Sequence, residues 1–286
     1  MRFTKFFCLN VLLWFLLCGC YSNRKNNVKD FIPFIDRTFE AYILSKYDFN
    51  GNGIIEYDEA LRVDTITIFD SVCLKSVADV VHFPNLVDFA CYGNHLDRVD
   101  FSANVKLKSL WIRHPMFDTL DLRGCKKIEN VYCFDGILKV VDLSDCFGLL
   151  TFDCTGNDLG KIDLNACRNL QTLHLNDNKL LSLDVSRLRK LKELTFRNNR
   201  IQKIELERLL GLLILDCGYN PIQTLDLSPF IKFLYCQHTR MTEVDLRGKD
   251  IDVVFCNENI TGFKIWVDEG FDGFIDCLID STAVFF

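Results

Sequence analysis

Apolar and polar residues along this chain alternate in a register of 21 residues. Beginning at Leu86, the pattern L-x-x-L-x-C/L-x-x-N-x-L-x-x-L-D-L returns with starts at Leu107, Ile128, Leu149, Leu170, Leu191, Leu212, Ile231 and Ile251. Within each unit a stretch such as Ser109-Leu110-Trp111-Ile112-Arg113 alternates in period two, the mark of a strand with one buried face. Units this short cannot each bury a separate core. The pattern therefore predicts coils stacked into a solenoid, with a parallel sheet along one side and a binding surface rather than a catalytic cleft.

Residues 30–62 lie outside the repeat. Phe31, Phe34, Ile35, Phe39, Ile43, Leu44 and Tyr47 have helical spacing up to the turn at Asn50-Gly51-Asn52-Gly53, and Tyr57 to Val63 predicts a short second helix. This segment is expected to cap the first coil. A divergent coil opens at Val63, and repeats are expected over 63–259. Residues 260–286, with Phe263, Ile265, Trp266, Phe271 and Phe274, depart from the coil pattern and are expected to cover the last layer.

The first residues add an address. Arg2 and Lys5 precede a short apolar stretch, Phe6 to Leu17, and then Leu17-Cys18-Gly19-Cys20. Roughly 12 apolar residues are too few to span a bilayer as a helix. The block resembles a bacterial lipobox, which implies a signal peptide over 1–19, acylation of Cys20 and a polar tether over 20–29. Ordinary secretion and an uncleaved anchor are the alternatives. The membrane is then a partner only through the lipid.

Eleven cysteines follow Cys20. Cys91, Cys133, Cys154, Cys217, Cys236 and Cys256 share one position of the repeat, where Ile112, Leu175 and Phe196 stand in other coils. Cys125, Cys146 and Cys167 share a second, continued by Leu188, Leu209 and Phe230. A column that accepts Cys, Leu, Ile or Phe is a core column, so buried thiols are expected, with a few disulfides between coils as the alternative. The net charge of -6 and the lack of any Lys/Arg run argue against nucleic acid.

Two polar columns remain. Asn94, Asn157, Asn178, Asn199, Asn220 and Asn259 are expected to satisfy backbone groups of their own and the neighbouring coil, and Pro115, Gly136 and Thr239 interrupt them. Asp100, Asp121, Asp142, Asp163, Asp184, Glu205, Asp226 and Asp245 form the other column. They are expected to accept backbone N–H groups in the second turn, aided by Arg98, Lys161 and Lys203, with a cation-binding stripe as the alternative.

Units such as Leu149-Leu150-Thr151-Phe152-Asp153-Cys154-Thr155-Gly156-Asn157-Asp158-Leu159 resemble those of cysteine-bearing leucine-rich-repeat lipoproteins of Bacteroidetes. The resemblance covers roughly 63–286. It implies a horseshoe-class solenoid of mostly parallel strands with few helices, and lipid anchoring in the cell envelope, the outer membrane being expected and its side open. It does not imply one activity.

The segment Asp48 to Glu59 matches D-x-[DN]-x-[DN]-G-x5-E and resembles an EF-hand loop. Asp48, Asn50, Asn52, Glu56 and Glu59 offer side-chain oxygens, and Ile54 its carbonyl, to calcium held as a structural clip. No paired loop accompanies it in the sequence.

Outward positions of the coils at 86, 107 and 128 carry Tyr92, Trp111, Arg113, His114, Tyr132, Phe134 and Asp135, a composition suited to a partner-binding patch. A second aromatic group, Tyr219, Phe233, Tyr235, His238 and Phe255, lies where a C-terminal cap is expected to cover part of it. His114 beside Asp135 is the one acid/base pairing, with no nucleophile column, so no enzyme activity is expected. The expected function is recognition of a protein by a monomeric chain, with a glycan ligand or a purely structural envelope role as alternatives.

Overall fold

The computed structural model describes residues 31–69, 74–257, 259, 262–276 and 284–285. The expected signal segment and tether, with Cys20, lie outside these residues, as do Cys73 and Cys277. Residues Ile32–Phe286 form one compact unit. Among the described residues no helix is long and apolar enough to cross a membrane.

The chain winds into a solenoid whose main sheet has eleven parallel strands. These are β1 (Thr65–Ile68), β2 (Asp88–Cys91), β3 (Ser109–Arg113), β5 (Asn130–Phe134), β7 (Thr151–Asp153) and β8 (Thr172–His174). They continue with β9 (Glu193–Thr195), β10 (Ile214–Asp216), β11 (Phe233–Tyr235), β13 (Val253–Phe255) and β15 (Phe274–Asp276). Each pairs in register with the equivalent residues of the next coil, Leu110 with Val131 and Phe152 with Leu173. Short strands pair on a second side: β4 (Thr119–Asp121) with β6 (Val140–Asp142), and β12 (Glu243–Asp245) with β14 (Lys264–Trp266) and then β16 (Val284–Phe285). The repeat thus continues past residue 260, because β15 extends the main sheet in register with β13. The expected departure from the coil pattern is absent there.

The columns read from the sequence point inward. Leu110, Val131, Phe152, Leu173, Leu194, Leu215 and Leu234 are fully buried, each worth roughly 1.5–3 kcal/mol relative to exposure. The thiols of Cys125, Cys133, Cys146, Cys154, Cys167, Cys217 and Cys236 are free and buried, and Cys91 is buried in the same column as Cys133. Cys133 and Cys154 stand side by side in neighbouring coils, as do Cys217 and Cys236. Burial pushes Cys125 up to about 11 and Cys167 and Cys236 to about 12, so they stay protonated and inert at neutral pH. Cys256 is disulfide-bonded.

One column differs from its sequence assignment. The unit starting at Leu212 is two residues shorter than those before it, and the shortening falls in its second half. Ser228 therefore takes the place held by Cys125, Cys146, Cys167, Leu188 and Leu209, its carbonyl accepting from Ile231 as that of Leu209 accepts from Leu212. Phe230 is 55% exposed. The Ser228 hydroxyl is buried without a hydrogen-bond partner among the described residues, the cost of a polar group in an apolar column.

The asparagine ladder stitches coil to coil. Asn178 Nδ2 donates to the carbonyls of Cys154, Leu175 and Asn176, while its Oδ1 accepts from Leu159 N–H at 3.0 Å. Asn157, Asn199 and Asn220 repeat this arrangement. Where the ladder is interrupted, Gly136 is required. A Cβ there would lie 2.3 Å from the Pro115 ring. One position before the ladder, Gly93, His114, Asp135, Gly156, Asp177, Asn198, Tyr219 and His238 all have positive φ, so each coil turns through a left-handed residue whatever its side chain.

In the second turn, Asp100, Asp121, Asp142, Asp163, Asp184 and Asp245 each accept the N–H two residues on at 2.9–3.0 Å. Lys203 pairs with Glu205 at 3.4 Å as expected. The strongest partners are Arg123 and Arg247, two residues after their carboxylates rather than before; the Arg247 hydrogen bonds hold Asp245 down at about 2.

The cap is less helical than its spacing suggests. Helix α1 (Arg37–Tyr47) starts at the Asp36 N-cap, whose carboxylate accepts from Thr38 and Phe39 N–H. Ile32 and Phe34 precede it in non-helical backbone and are buried, and the buried Asp79 fixes the entry by accepting from Ile35 and Asp36 N–H at 2.9 and 2.8 Å. Helix α2 is only Tyr57–Ala60. Tyr42 and Tyr47 donate to the Thr67 and Thr65 carbonyls, so α1 covers the edge of the sheet at β1.

Candidate recognition face

Alternation along each main-sheet strand leaves every second side chain pointing outward, and in-register stacking turns these into columns whose successive members stand about 4.8 Å apart. The central column runs Thr67, Ala90, Trp111, Tyr132, Asp153, His174, Thr195, Asp216, Tyr235, Phe255. Two aromatic stretches flank an acidic one.

The structure brings all seven residues of the first patch onto β2, β3, β5 and the turns that follow them. Trp111 and Tyr132 stack at 3.6 Å with 18° between ring planes, and Trp111 Nε1 donates to Ser109 Oγ at 3.1 Å. Arg113 pairs with Asp135 at 3.3 Å and lies 5.9 Å from the Phe134 ring centroid. The rings are half-buried against one another, while Arg113 and Asp135 are exposed. His114 does not meet the Asp135 carboxylate: its Nδ1 lies 3.0 Å from the Asp135 backbone oxygen, so no acid/base dyad forms. Tyr92 stacks on Phe69 at 5.8 Å. Phe69, 61% exposed, belongs to the patch and was hidden by the irregular length of the first coil; its place directly after the Thr65-Ile66-Thr67-Ile68 alternation is the signal that finds it.

The second aromatic group also stands on the face. Tyr235 and Phe255 stack at 5.1 Å with 6° between planes, and Phe274 beyond them is 60% exposed. Tyr219 packs on His238 at 4.0 Å, with the Arg197 guanidinium 4.3 Å from the Tyr219 centroid. Between the patches, His174 is bracketed by Asp153 at 3.6 Å and Glu193 at 3.0 Å. This polar centre was not legible, because a His flanked by threonine-rich strands carries no motif.

The calcium-like loop folds about its own donors. Asp48 accepts from Gly51, Asn52 and Gly53 N–H, and Gly51 and Gly53 supply the positive φ that the turn needs. Asn50 and Asn52 donate their amides to Glu56. Glu59 is 4% exposed and accepts from Phe49, Asn50 and Glu56 N–H. The Ile54 backbone N–H donates to Asn52 Oδ1 at 3.0 Å. The donors are all hard oxygens, which fits calcium. Among the described residues, however, no three acidic, His or Cys side chains converge on one point.

No protein-family model matches the chain, and no curated protein matches it. Solved structures do. A leucine-rich-repeat protein of Leptospira interrogans aligns at a TM-score of 0.62 and 19% identity, over 73% of this chain and 59% of that one. Internalin C2 of Listeria monocytogenes aligns at 0.55 and 18%, over 68% and 88%. A chain of the Toll–Spätzle complex of Drosophila aligns at 0.54 and 17%, over 77% and 42%. The fold is that of a leucine-rich-repeat solenoid.

Proposed function

We propose that this chain is a non-catalytic, lipid-anchored envelope protein that recognises another protein through its strand face. The observation that carries the reading is the central column, where stacked aromatic pairs at 3.6 and 5.1 Å flank an acidic centre. Rigid rings beside charged groups are what binding hot spots are made of. The neighbours support an interaction scaffold, and one of them comes from the structure of the Toll–Spätzle complex. A glycan is the second reading, favoured by the flat Trp111–Tyr132 platform.

A photo-crosslinking residue at Thr172 on the face, and another at Ser186 on the opposite turn, separates these readings in cells that make the full chain. A discrete protein adduct from position 172 alone, lost in a folded Trp111→Ala/Tyr132→Ala/Phe134→Ala variant, is expected. Adducts of equal strength from both positions would refute the reading, and glycan-array binding lost in the same variant would establish the second.

We further propose that calcium clips the cap, held by Asp48, Asn50, Asn52, Glu56, Glu59 and the Ile54 carbonyl. Because Glu59 also holds the loop through backbone N–H groups, Glu59→Gln is expected to lower stability with or without metal. The diagnostic is the rise in melting temperature on adding calcium, present in the wild type and reduced in the variant. No rise in the wild type, or the same rise in both, sinks the idea.

A further inference from the structure

Strand β10 presents Ile214 and Asp216 to the face, and Gly218 takes the next outward position, where Arg197 and Gln237 stand in the neighbouring coils. Gly218 has no positive φ, so the backbone conformation does not call for glycine. What glycine permits is proximity. A Cβ there would lie 3.1 Å from Gln237 Cδ and 3.3 Å from Asp216 Oδ1, so a carboxylate and a carboxamide flank one point above a backbone without a side chain.

Both groups are short of partners. The Gln237 Oε1 atom is buried and has no hydrogen-bond partner among the described residues. Asp216 accepts one hydrogen bond, from Gly218 N–H at 3.0 Å, and no ion pair reaches it among the described residues. The nearest cation, Arg197, places its guanidinium over Tyr219 instead. Burial accordingly raises Asp216 above its ordinary value, against the pull of the Gly218 hydrogen bond and of Arg197. A buried acceptor left in this state is costly and calls for a partner, which water, an ion or a ligand group can supply.

An aromatic wall completes the surroundings. Tyr235 is the in-register neighbour of Asp216. One face of its ring is covered by Phe255 in a near-parallel stack, which leaves the other turned toward β10 and Asp216. A planar cation entering there meets a carboxylate, an amide oxygen and a ring face together. An ammonium uses the charge but not the plane, whereas a guanidinium donates in two directions while stacking. Asp153 and Glu193, on earlier strands of the same face, add to the attraction for a cation.

We propose that Asp216, the Gln237 carboxamide and the open face of Tyr235 form a subsite for an arginine side chain of the protein partner. This rests on the recognition reading above and gives that partner its chemistry: a basic residue beside apolar groups that cover Phe255 and Phe274.

The test uses the full chain with 13C-labelled tyrosine rings, titrated with N-acetyl-arginine amide, N-acetyl-lysine amide and the neutral N-acetyl-glutamine amide. Asp216→Asn is nearly isosteric and keeps an acceptor for Gly218 N–H, so its melting profile should match the wild type. Saturable movement of the Tyr235 signal is expected for arginine, several-fold tighter than for lysine and absent for glutamine, with at least a tenfold loss of affinity in Asp216→Asn. No saturable arginine shift, or equal affinity in the variant, overturns the subsite. If Asp216→Asn fails to fold, Gln237→Leu replaces it with the same expectation of weakened arginine binding. A face-specific adduct from position 172 together with a failed arginine titration removes the subsite and leaves the recognition reading intact. Arginine binding without such an adduct upholds the subsite and counts against the broader reading.

Discussion

Between two acidic neighbours, His174 shows how a single side chain couples the face to pH. The close Asp153 carboxylate, opposed by burial and reinforced by the Glu193 hydrogen bond, holds its imidazole above the ordinary value of 6.5. A group raised on folding stabilises the native state below its unfolded pKa and loses that contribution as pH climbs through the folded value. Asp153 is the counterpart. Burial works to raise it, but the nearby His174 imidazole and the hydrogen bond from Thr155 leave it below 3.8, so its share persists until pH falls through that lowered value. The melting temperature is therefore expected to drop by about 1–3 °C between mildly acidic and mildly alkaline buffer. His174→Gln should flatten that slope, and an unchanged slope in the variant would show that the ion pairs contribute nothing. At this scale the sequence was partly readable: Trp111 and Tyr132 announced themselves by column, whereas Asp153, His174 and Glu193 stand in three successive coils and meet only through the stacking of strands.

The coil is the element that repeats, and its asparagine carries more than its size suggests. Asn199 donates to the carbonyls of Leu175, Phe196 and Arg197 and accepts from Leu180 N–H, all within the buried turn. Asn199→Ala would remove four hydrogen bonds at roughly 1 kcal/mol each and leave the Leu180 N–H without a partner, whereas the three carbonyls keep donors in Asn178, Asn220 and Asp177. A loss of about 3 kcal/mol or more is expected from the urea midpoint; a loss under about 1 kcal/mol would mean that water replaces the amide. The 21-residue register made strands, core columns and this ladder legible in advance. It failed where the length changes. Two missing residues before Ile231 moved Ser228 inward and Phe230 outward, because a column read at fixed spacing cannot show where a shortened unit closes. Helical spacing over 31–35 misled for a related reason: burial of Ile32 and Phe34 is achieved there by non-helical backbone, with Asp79 rather than a preceding turn fixing the chain.

For the whole molecule, the sequence pattern identified the solenoid but not which stretch of its face would be polar or crowded. Periodicity reports which side chains leave the core; it does not report which of them find one another afterwards. Tyr235 and Phe255 were readable as outward residues, yet the unsatisfied Gln237 beside them became visible only once neighbouring coils were stacked.

The buried thiols have one more consequence. Contacts in such an array run between adjacent coils, so each layer can part from its neighbours without the whole unfolding. Sulfhydryls lie buried in coils spread from Cys125 to Cys236. Each is silent while its own layer is closed. A small alkylating reagent would therefore reach them in the order in which layers breathe, and the chain carries, in its own composition, a set of clocks that time the opening of its coils one by one.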